Sequence, residues 1–269
     1  MNHTDSPTQV PRIVAVIPAR YSSSRLPGKP LLRIAGRPMV VHVVERALAA
    51  RRVERAVVAT DDERIFAAVS DAGHEALMTS AEHASGSDRL AEAARSFVDA
   101  EVIVNVQGDE PLIAPETIDA AVEALLEDAG AQVATTCERI ERADDVLSAD
   151  VVKVVMDARG RAIYFSRSPI PYPRDGVRRH GSLEAALAAE PQLLAAFRKH
   201  TGLYVYRRSF LLEYSGWTQT ALERAESLEQ LRILERGARI RVVEATSPSI
   251  GVDTLEDFER VRALIESEI

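Results

Sequence analysis

The chain has 269 residues, a length that suits one large α/β domain with its own hydrophobic core. Hydrophobic residues make up 46% and charged residues 28%, which is typical of globular proteins. The net charge of -8 argues against sequence-independent binding to nucleic acid, which needs an excess of Lys and Arg. It still allows a small anionic substrate, because a pocket can be locally basic in an acidic protein.

The sequence predicts neither a membrane span nor a secretory leader. Residues 1–12 are polar and lack the apolar stretch of a signal peptide. No apolar run approaches the ~20 residues that a spanning helix needs. Cys137 is the single cysteine, so an intrachain disulfide and a multi-cysteine metal site are both excluded. We therefore expect a cytoplasmic protein that binds neither membranes nor nucleic acid.

In the first half of the chain, short apolar runs alternate with segments of helical spacing. This alternation predicts parallel strands with helices on both faces, that is, a three-layer α/β fold with a mostly parallel, Rossmann-like sheet. Ligands bind beyond the carboxyl ends of such strands, so the loops there are the candidate site. The predicted strands are 13–17, 56–59, 76–78 and 102–106, and the predicted helices are 38–50, 62–72, 85–97 and 115–127.

The second half of the chain is less regular. We interpret residues 1–269 as one domain, with an inserted region at roughly 135–215 that caps the site or forms a dimer surface. The predicted strands are 151–155, 162–165 and 203–206; 168–181 is predicted as a loop; and helices are predicted at 183–197 (broken at Pro191), 228–235 and 254–268.

The loop 18–30 directly follows the first predicted strand and is basic. It contains Arg20, Arg25 and Lys29 but no acidic residue, and Ser22 adds a hydroxyl. Because these three cations have no acidic residue in the loop to pair with, the loop is more typical of a triphosphate-binding site than of an ordinary solvated loop. The G-x-x-x-x-G-K-[ST] and G-x-G-x-x-G patterns are both missing here, which argues against a P-loop NTPase and a dinucleotide dehydrogenase.

A second loop, 107–114, brings carboxylates to the same edge of the sheet. Asp109 lies just past the end of strand 102–106, where a functional carboxylate is expected. Mg²⁺ typically takes one or two protein carboxylates, with phosphate oxygens and water completing its shell. We expect Glu110 to contact the residues that bind the metal and not the metal itself.

The chain resembles the cytidylyltransferases of 3-deoxy-D-manno-octulosonate (Kdo) nearly end to end. Ser87 and Asp88 stand where relatives often carry Thr and Glu, a change that keeps a hydroxyl and a carboxylate, and 174–198 match only loosely. The matching segments are IPARYS (17–22), RLPGKP (25–30), VATD (58–61), SGSDR (85–89), NVQGDEP (105–111), YFSR (164–167), LEQLR (228–232) and GVDT (251–254).

The resemblance implies a single nucleotidyltransferase domain that transfers CMP from CTP to the anomeric hydroxyl of Kdo for lipopolysaccharide synthesis. It implies a homodimer, with Mg²⁺ held by Asp109 and Asp253 and with Lys29 and Arg20 as further catalytic residues. The implied nucleotide-binding residues are Arg20, Ser22, Arg25, Lys29, Thr60, Asp61, Ser87, Arg89 and Gln107, and the implied sugar-binding residues are Gln107, Arg167, His200, Tyr204, Glu229 and Gln230.

Several of these residues have structural alternatives. Asp253 and Glu256 together fit a capping box at the start of the last helix. Arg89 suits a surface position on its helix, and Glu229 with Gln230 suits the polar face of another. A lone histidine is more often structural than catalytic, so we assign His200 to binding and not to proton transfer.

Three other functions compete with Kdo activation. One is a cytidylyltransferase for the 8-amino analogue of Kdo or for a sialic acid, which a substrate comparison distinguishes. A nicotinamide dehydrogenase of similar fold would bind NAD. A catalytically inactive nucleotide-binding or scaffold protein would not turn over CTP, although the pairing of Asp109 and Asp253 with a basic loop argues against this reading.

Overall fold

A computed structural model describes residues 11–22, 26–83 and 85–267. The strands are β1 (Ile13–Ala19), β2 (Arg33–Ile34), β3 (Arg37–Pro38), β4 (Arg55–Thr60), β5 (Glu75–Met78), β6 (Val102–Asn105), β7 (Val133–Arg139), β8 (Lys153–Met156), β9 (Ala162–Ser166), β10 (Arg198–Arg207) and β11 (Ile240–Glu244). The helices are α1 (Met39–Ala49), α2 (Glu63–Asp71), α3 (Gly86–Arg95), α4 (Pro115–Glu127), α5 (Ala143–Leu147), α6 (Arg174–His180), α7 (Leu183–Ala189), α8 (Arg208–Tyr214), α9 (Ala221–Glu226), α10 (Gln230–Glu235) and α11 (Leu255–Ser267).

The main sheet has the strand order β11-β7-β10-β6-β1-β4-β5. Pairing is parallel between β1 and its neighbours β4 and β6, between β4 and β5, and between β7 and β11. Strand β10 runs antiparallel to both β6 and β7, and β8 and β9 extend from it outside the main order. The mostly parallel sheet predicted from the sequence is confirmed, with β10 as its antiparallel member.

Both faces of the sheet are covered by helices. Along β1, Ile13 and Ile17 pack into a core that includes α1, α2 and α4, whereas Val14 and Val16 pack into a second core with α3, α8 and α10. Successive strand residues point to opposite faces, so an unbroken apolar run is what a strand buried on both sides requires. This arrangement confirms the three-layer architecture.

A smaller core anchors the C-terminal helix. Phe258 and Val261 of α11 pack against Ile34 of the β2–β3 hairpin, together with Val252. The backbone N–H of Val252 donates to the carbonyl oxygen of Asp109 at 2.9 Å. The segment that carries Asp253 is therefore fixed beside the loop that carries Asp109, although 144 residues separate the two in the sequence (253 − 109).

The structure differs from the sequence prediction at several elements. The predicted loop 168–181 contains α6, which begins directly after the last proline of the segment, Pro173. The helix predicted at 183–197 ends at Ala189 and continues as a 3₁₀ helix, Pro191–Ala196, in agreement with the predicted break at Pro191. Strands β2, β3, β7 and β11 and helices α5, α8 and α9 were not predicted from the sequence. Within the described ranges, no helix is both long and apolar enough to cross a membrane.

The region predicted as an insertion, roughly 135–215, includes most of β7 and all of β10, which are strands of the main sheet. Both β7 and β10 have neighbours on two sides there. Between them, Ile140, Val146, Leu187 and Phe197 form a separate small core. We therefore propose that the inserted region is shorter than predicted and comprises about residues 140–197.

Candidate active site

Two adjoining cavities open where β1 and β6 end. The first, which we call the phosphate cavity, has a volume of about 360 Å³, and the second, the hydroxyl cavity, about 260 Å³. Pro18 and Gln107 line both cavities, so two ligands bound there would meet at these residues. The phosphate cavity is also lined by Ala19, Arg20, Ser22, Lys29, Pro30, Gly108, Asp109 and Asp253; the hydroxyl cavity by Gly86, Ser87, Asn105, Tyr204, Tyr206, Tyr214, Ser227, Leu228, Glu229 and Gln230.

A tight turn presents Lys29 to the phosphate cavity. Gly28 has φ +70°, a left-handed conformation that glycine adopts without strain. Its N–H donates to the carbonyl oxygen of Tyr21 at 2.9 Å, and a Cβ at Gly28 would lie 3.2 Å from the Tyr21 ring. The turn leads into the 3₁₀ helix Lys29–Leu31, whose first residue is the predicted catalytic lysine.

Lys29 lies between the two carboxylates that were predicted to bind metal. Its Nζ is 2.6 Å from Asp109 Oδ2 and 3.2 Å from Asp253 Oδ1. The lysine side chain is 13% exposed and Asp109 30% exposed, so these charges are partly shielded from solvent. The structure thus brings together Lys29, Asp109, Asp253 and Arg20 from three distant parts of the chain.

The donor set of the phosphate cavity fits Mg²⁺. Asp109 and Asp253 already converge on one cation, the Lys29 ammonium, and carboxylate oxygens are ligands that Mg²⁺ prefers. Across the described part of the chain, no group of three or more His, Cys, Asp or Glu residues is placed to hold a metal. Phosphate oxygens and water would therefore have to complete the shell, as is usual for Mg²⁺ at phosphate-transfer sites.

The capping alternative for Asp253 is wrong. Thr254 and Asp257 cap α11: Asp257 Oδ2 accepts from the Thr254 N–H at 2.9 Å, and the Asp257 N–H donates to Thr254 Oγ1 at 3.1 Å. This is the reciprocal pattern of a capping box, shifted by one residue from the predicted pair. The Asp253 carboxylate is directed to Lys29 instead.

Glu110 follows Asp109, one of the two carboxylates that were predicted to bind metal. Burial, reinforced by the negative charge of Asp109, raises the pKa of Glu110 from 4.5 to about 7. Nearby, a Cβ on Gly202 would lie 2.9 Å from Gln107 Cγ and 3.5 Å from Glu110 Oε1. Gly202 therefore lies close to both Gln107 and Glu110, and a supporting role for Glu110 at a metal site stays a prediction.

The raised pKa of Glu110 predicts a pH-dependent loss of stability. The folded state holds the proton more tightly than the unfolded state, so this contribution is full below pH 4.5 and is lost as the pH rises through about 7. We expect the unfolding free energy of wild type to fall by about 2–3 kcal/mol more between pH 5 and pH 8 than that of Glu110→Gln. Urea unfolding at both pH values measures this, with the exposed Glu54→Gln as control; parallel pH curves for wild type and Glu110→Gln would contradict it.

The hydroxyl cavity is walled by stacked tyrosines and polar side chains. The ring centroids of Tyr204 and Tyr206 are 5.8 Å apart, and those of Tyr206 and Tyr214 are 6.4 Å apart. Ser87 Oγ donates to Glu229 Oε2 at 2.5 Å, and the Tyr214 hydroxyl donates to the Glu229 carbonyl oxygen at 3.2 Å. Gln107, Tyr204, Glu229 and Gln230, all predicted as sugar-binding, meet here together with Ser87.

His200 and Arg167 are not among the residues that line either cavity. His200 Nε2 lies 2.9 Å from Thr135 Oγ1, and its ring packs against Tyr204 at 5.2 Å. Burial lowers the pKa of His200 to about 3, so the ring is neutral and supports the wall of the hydroxyl cavity. Arg167 donates to the carbonyl oxygens of Ala149 and Glu226. Sugar contacts from Arg167 and His200 stay predictions.

A buried ion pair holds the remaining predicted nucleotide residues together. Arg89 is fully buried; it donates to Asp61 Oδ2 at 2.8 Å and to Thr79 Oγ1, so the alternative of a surface arginine is wrong. Thr60 is fully buried, and its carbonyl oxygen accepts from the Thr79 N–H at 2.8 Å. Nucleotide contacts from this group stay predictions, and Arg25 lies outside the described residues.

Breaking the Arg89–Asp61 pair should destabilise the protein strongly. Arg89→Met leaves Asp61 without its buried partner, which typically costs about 3–5 kcal/mol. The matched control is Arg142→Met, because Arg142 pairs with Asp144 on the surface, where such pairs contribute about 1 kcal/mol or less. Urea unfolding of the two variants measures the difference; equal losses would contradict a structural role for Arg89.

Sequence reasoning missed four residues of the site. Tyr206 and Tyr214 line the hydroxyl cavity, and Asn105 lies at the end of β6 within it. At Gly108, a Cβ would approach the Pro18 carbonyl oxygen to 2.8 Å, so only glycine allows the loops after β1 and β6 to come this close. Two signals pointed to some of them: Asn105 and Gly108 lie in the matching segment 105–111, and alternation along β10 places Tyr206 on the same face as Tyr204.

Comparison with known proteins agrees with this geometry. The family model "Cytidylyltransferase" matches residues 14–240. A 3-deoxy-manno-octulosonate cytidylyltransferase from Geobacter sulfurreducens is 54% identical over 93% of this chain and 97% of its own. The corresponding protein from Solibacter usitatus is 50% identical over 96% of each chain.

Solved structures point the same way. The structure of a CMP:2-keto-3-deoxy-manno-octonic acid synthetase complexed with CTP has a TM-score of 0.85 and 45% identity, covering 96% of this chain and 100% of that one. A nucleotidyl transferase from Methanothermobacter, at 18% identity and TM-score 0.63, shares the fold alone. On this evidence, the chain belongs to the 3-deoxy-manno-octulosonate cytidylyltransferase family.

Proposed function

We propose that this chain transfers CMP from CTP to the anomeric 2-hydroxyl of Kdo, releasing pyrophosphate and forming CMP-Kdo for lipopolysaccharide synthesis. The observation that carries the proposal is the convergence of Asp109, Asp253 and Lys29 in a cavity that adjoins a second, hydroxyl-binding cavity at Gln107. The names of the relatives support the choice of CTP and Kdo.

The phosphate cavity suits the triphosphate of CTP. Arg20 Nη2 is buried without a hydrogen-bond partner, so it is a donor that a phosphate oxygen could accept from. Lys29 and Ser22 line the same cavity. These groups would hold the phosphate oxygens and stabilise the charge on the departing pyrophosphate. Asp109 and Asp253 would hold Mg²⁺, which when bound polarises the α-phosphate and lowers the pKa of the attacking hydroxyl.

The hydroxyl cavity suits the sugar acid. Tyrosine faces and the polar side chains of Glu229, Gln230 and Gln107 are the mixture that a polyhydroxylated ring requires. Gln107 Nε2 donates to the Gly202 carbonyl oxygen at 3.0 Å, which holds its side chain at the junction of the two cavities. Such positioning of acceptor against donor accounts for much of the rate of nucleotidyl transfer, because the chemistry needs no covalent intermediate.

We further propose a cytoplasmic homodimer that associates through the inserted region, 140–197. Ile163 and Tyr172 in this region are each 61% exposed, so both apolar side chains are available for burial against a partner. Sedimentation of wild type and of Ile163→Asp tests the dimer: a monomeric variant from a dimeric parent supports it, and a monomeric parent contradicts it.

Pyrophosphate release from CTP tests the proposed function. We expect release that requires both Kdo and Mg²⁺ and that stops on addition of EDTA. Parallel assays with the 8-amino analogue of Kdo and with a sialic acid identify the acceptor. Faster release with either of these would identify it as the acceptor and would still support transfer of CMP from CTP. No release with any of the three would contradict the proposal.

A further inference from the structure

An unsatisfied acceptor lies at the floor of the hydroxyl cavity. Asn105 is 6% exposed, and its Oδ1 is buried without a hydrogen-bond partner. A buried oxygen of this kind costs free energy in the empty protein, which a ligand donor can recover. Asn105 also lines the cavity, which places its side chain next to a ligand bound there.

The strand pattern places Asn105 where an apolar residue would be expected. Val102, Val104 and Val106 pack into one core, and Ile103 packs into the core on the opposite face. Asn105 follows Ile103 by two residues and so shares its face. Its neighbours in the sheet are Val16 on β1 and Tyr204 on β10. At this point of an otherwise apolar layer, the Oδ1 of Asn105 has no hydrogen-bond partner among the described residues.

The two cavities differ in the unsatisfied groups that they present. Within the described ranges, five buried side-chain atoms lack a partner, and two of them belong to residues that line the cavities. Arg20 Nη2, in the phosphate cavity, is a donor and matches an anion. Asn105 Oδ1, in the hydroxyl cavity, is an acceptor and matches an O–H group. The carboxylate oxygen Glu229 Oε2, by contrast, already receives a hydrogen bond from Ser87.

We propose that Asn105 is a specificity-determining residue that accepts a hydrogen bond from one hydroxyl of the sugar acid. This inference rests on the proposed function, because it takes the hydroxyl cavity as the acceptor site. A site built to bond a hydroxyl rejects an analogue that lacks it, since the buried oxygen then stays unpaired. Asn105 would therefore select among sugar acids by the presence of one hydroxyl group.

The variant Asn105→Leu tests this role. It keeps a similar volume and removes the acceptor, so we expect KM for Kdo to rise about tenfold or more while KM for CTP stays within about twofold. Without Kdo, we expect the thermal midpoint of the variant to equal or exceed that of wild type, because an unsatisfied polar group has been removed. An unchanged KM for Kdo, or a general loss of stability and of CTP binding, would overturn the proposal.

Acceptor analogues provide a test that does not depend on the variant. Sugar acids that each lack one hydroxyl of Kdo are compared as acceptors for the wild-type protein, after Kdo itself has been shown to support pyrophosphate release. We expect kcat/KM of wild type to be about tenfold lower for one of the analogues than for Kdo. We expect Asn105→Leu to use that analogue and Kdo equally well. Equal use of all analogues by wild type would overturn the proposal. If wild type releases pyrophosphate with another sugar acid only, the proposed substrate fails and the same comparison is made on that acceptor.

Discussion

Asp109→Asn is expected to reduce Kdo-dependent turnover of CTP about a thousandfold or more, because a metal ion contributes several kcal/mol to stabilisation of the transition state. The substitution keeps the shape of the side chain but removes the charge that faces Lys29. The fold should survive, since the hydrogen bond from Val252 is made to the backbone oxygen of Asp109. Steady-state assays at saturating Mg²⁺ measure the loss.

The control for Asp109→Asn is Asp99→Asn, which changes an exposed carboxylate that pairs with Arg12 on the surface. We expect it to keep wild-type turnover. Circular dichroism and thermal unfolding check that both variants are folded. Full activity in Asp109→Asn would contradict the assignment of Asp109 as a metal ligand.

Lys29→Met is expected to lower kcat/KM for CTP about 10²–10³-fold, because it removes a fixed positive charge from the phosphate cavity. It should also change the response of the protein to the metal alone. In the free protein the ammonium lies against both Asp109 and Asp253, so it competes with a cation for them. We expect Mg²⁺ without nucleotide to raise the thermal midpoint of Lys29→Met more than that of wild type.

Lys29→Arg is the matched variant because it keeps the charge and the competition for both carboxylates. We expect it to respond to Mg²⁺ as wild type does, and to lose less activity than Lys29→Met. Identical Mg²⁺-induced shifts in wild type and Lys29→Met would show that Asp109 and Asp253 do not bind the metal together, whatever the effect on turnover.

The fold and much of the site could be predicted because local signals agreed with the tertiary arrangement. The apolar runs of β1, β4 and β6 and the helical spacing between them define a doubly covered parallel sheet, whose carboxyl edge contains the basic loop and Asp109. Strand β7 was missed because its mixed polar sequence, VATTCER, lacks a clear apolar period.

What could not be predicted depends on contacts between distant segments. The burial of Arg89 against Asp61 is decided by packing across 28 residues, and nothing in the local sequence distinguishes it from a surface arginine. The shift of the cap from Asp253 to Thr254 depends on how α11 packs against the β2–β3 hairpin. In the sequence, Asn105 lies near the end of a predicted apolar strand. That its Oδ1 lacks a hydrogen-bond partner can be seen only when the neighbouring Val16 and Tyr204 are placed beside it.

Mass spectrometry of the product tests the central claim most directly. After incubation of the protein with CTP, Kdo and Mg²⁺, we predict CMP covalently joined to Kdo in amounts equal to the pyrophosphate released, and neither product with Asp109→Asn. Pyrophosphate accompanied by free CMP, or the absence of any CMP–sugar product, would contradict the account.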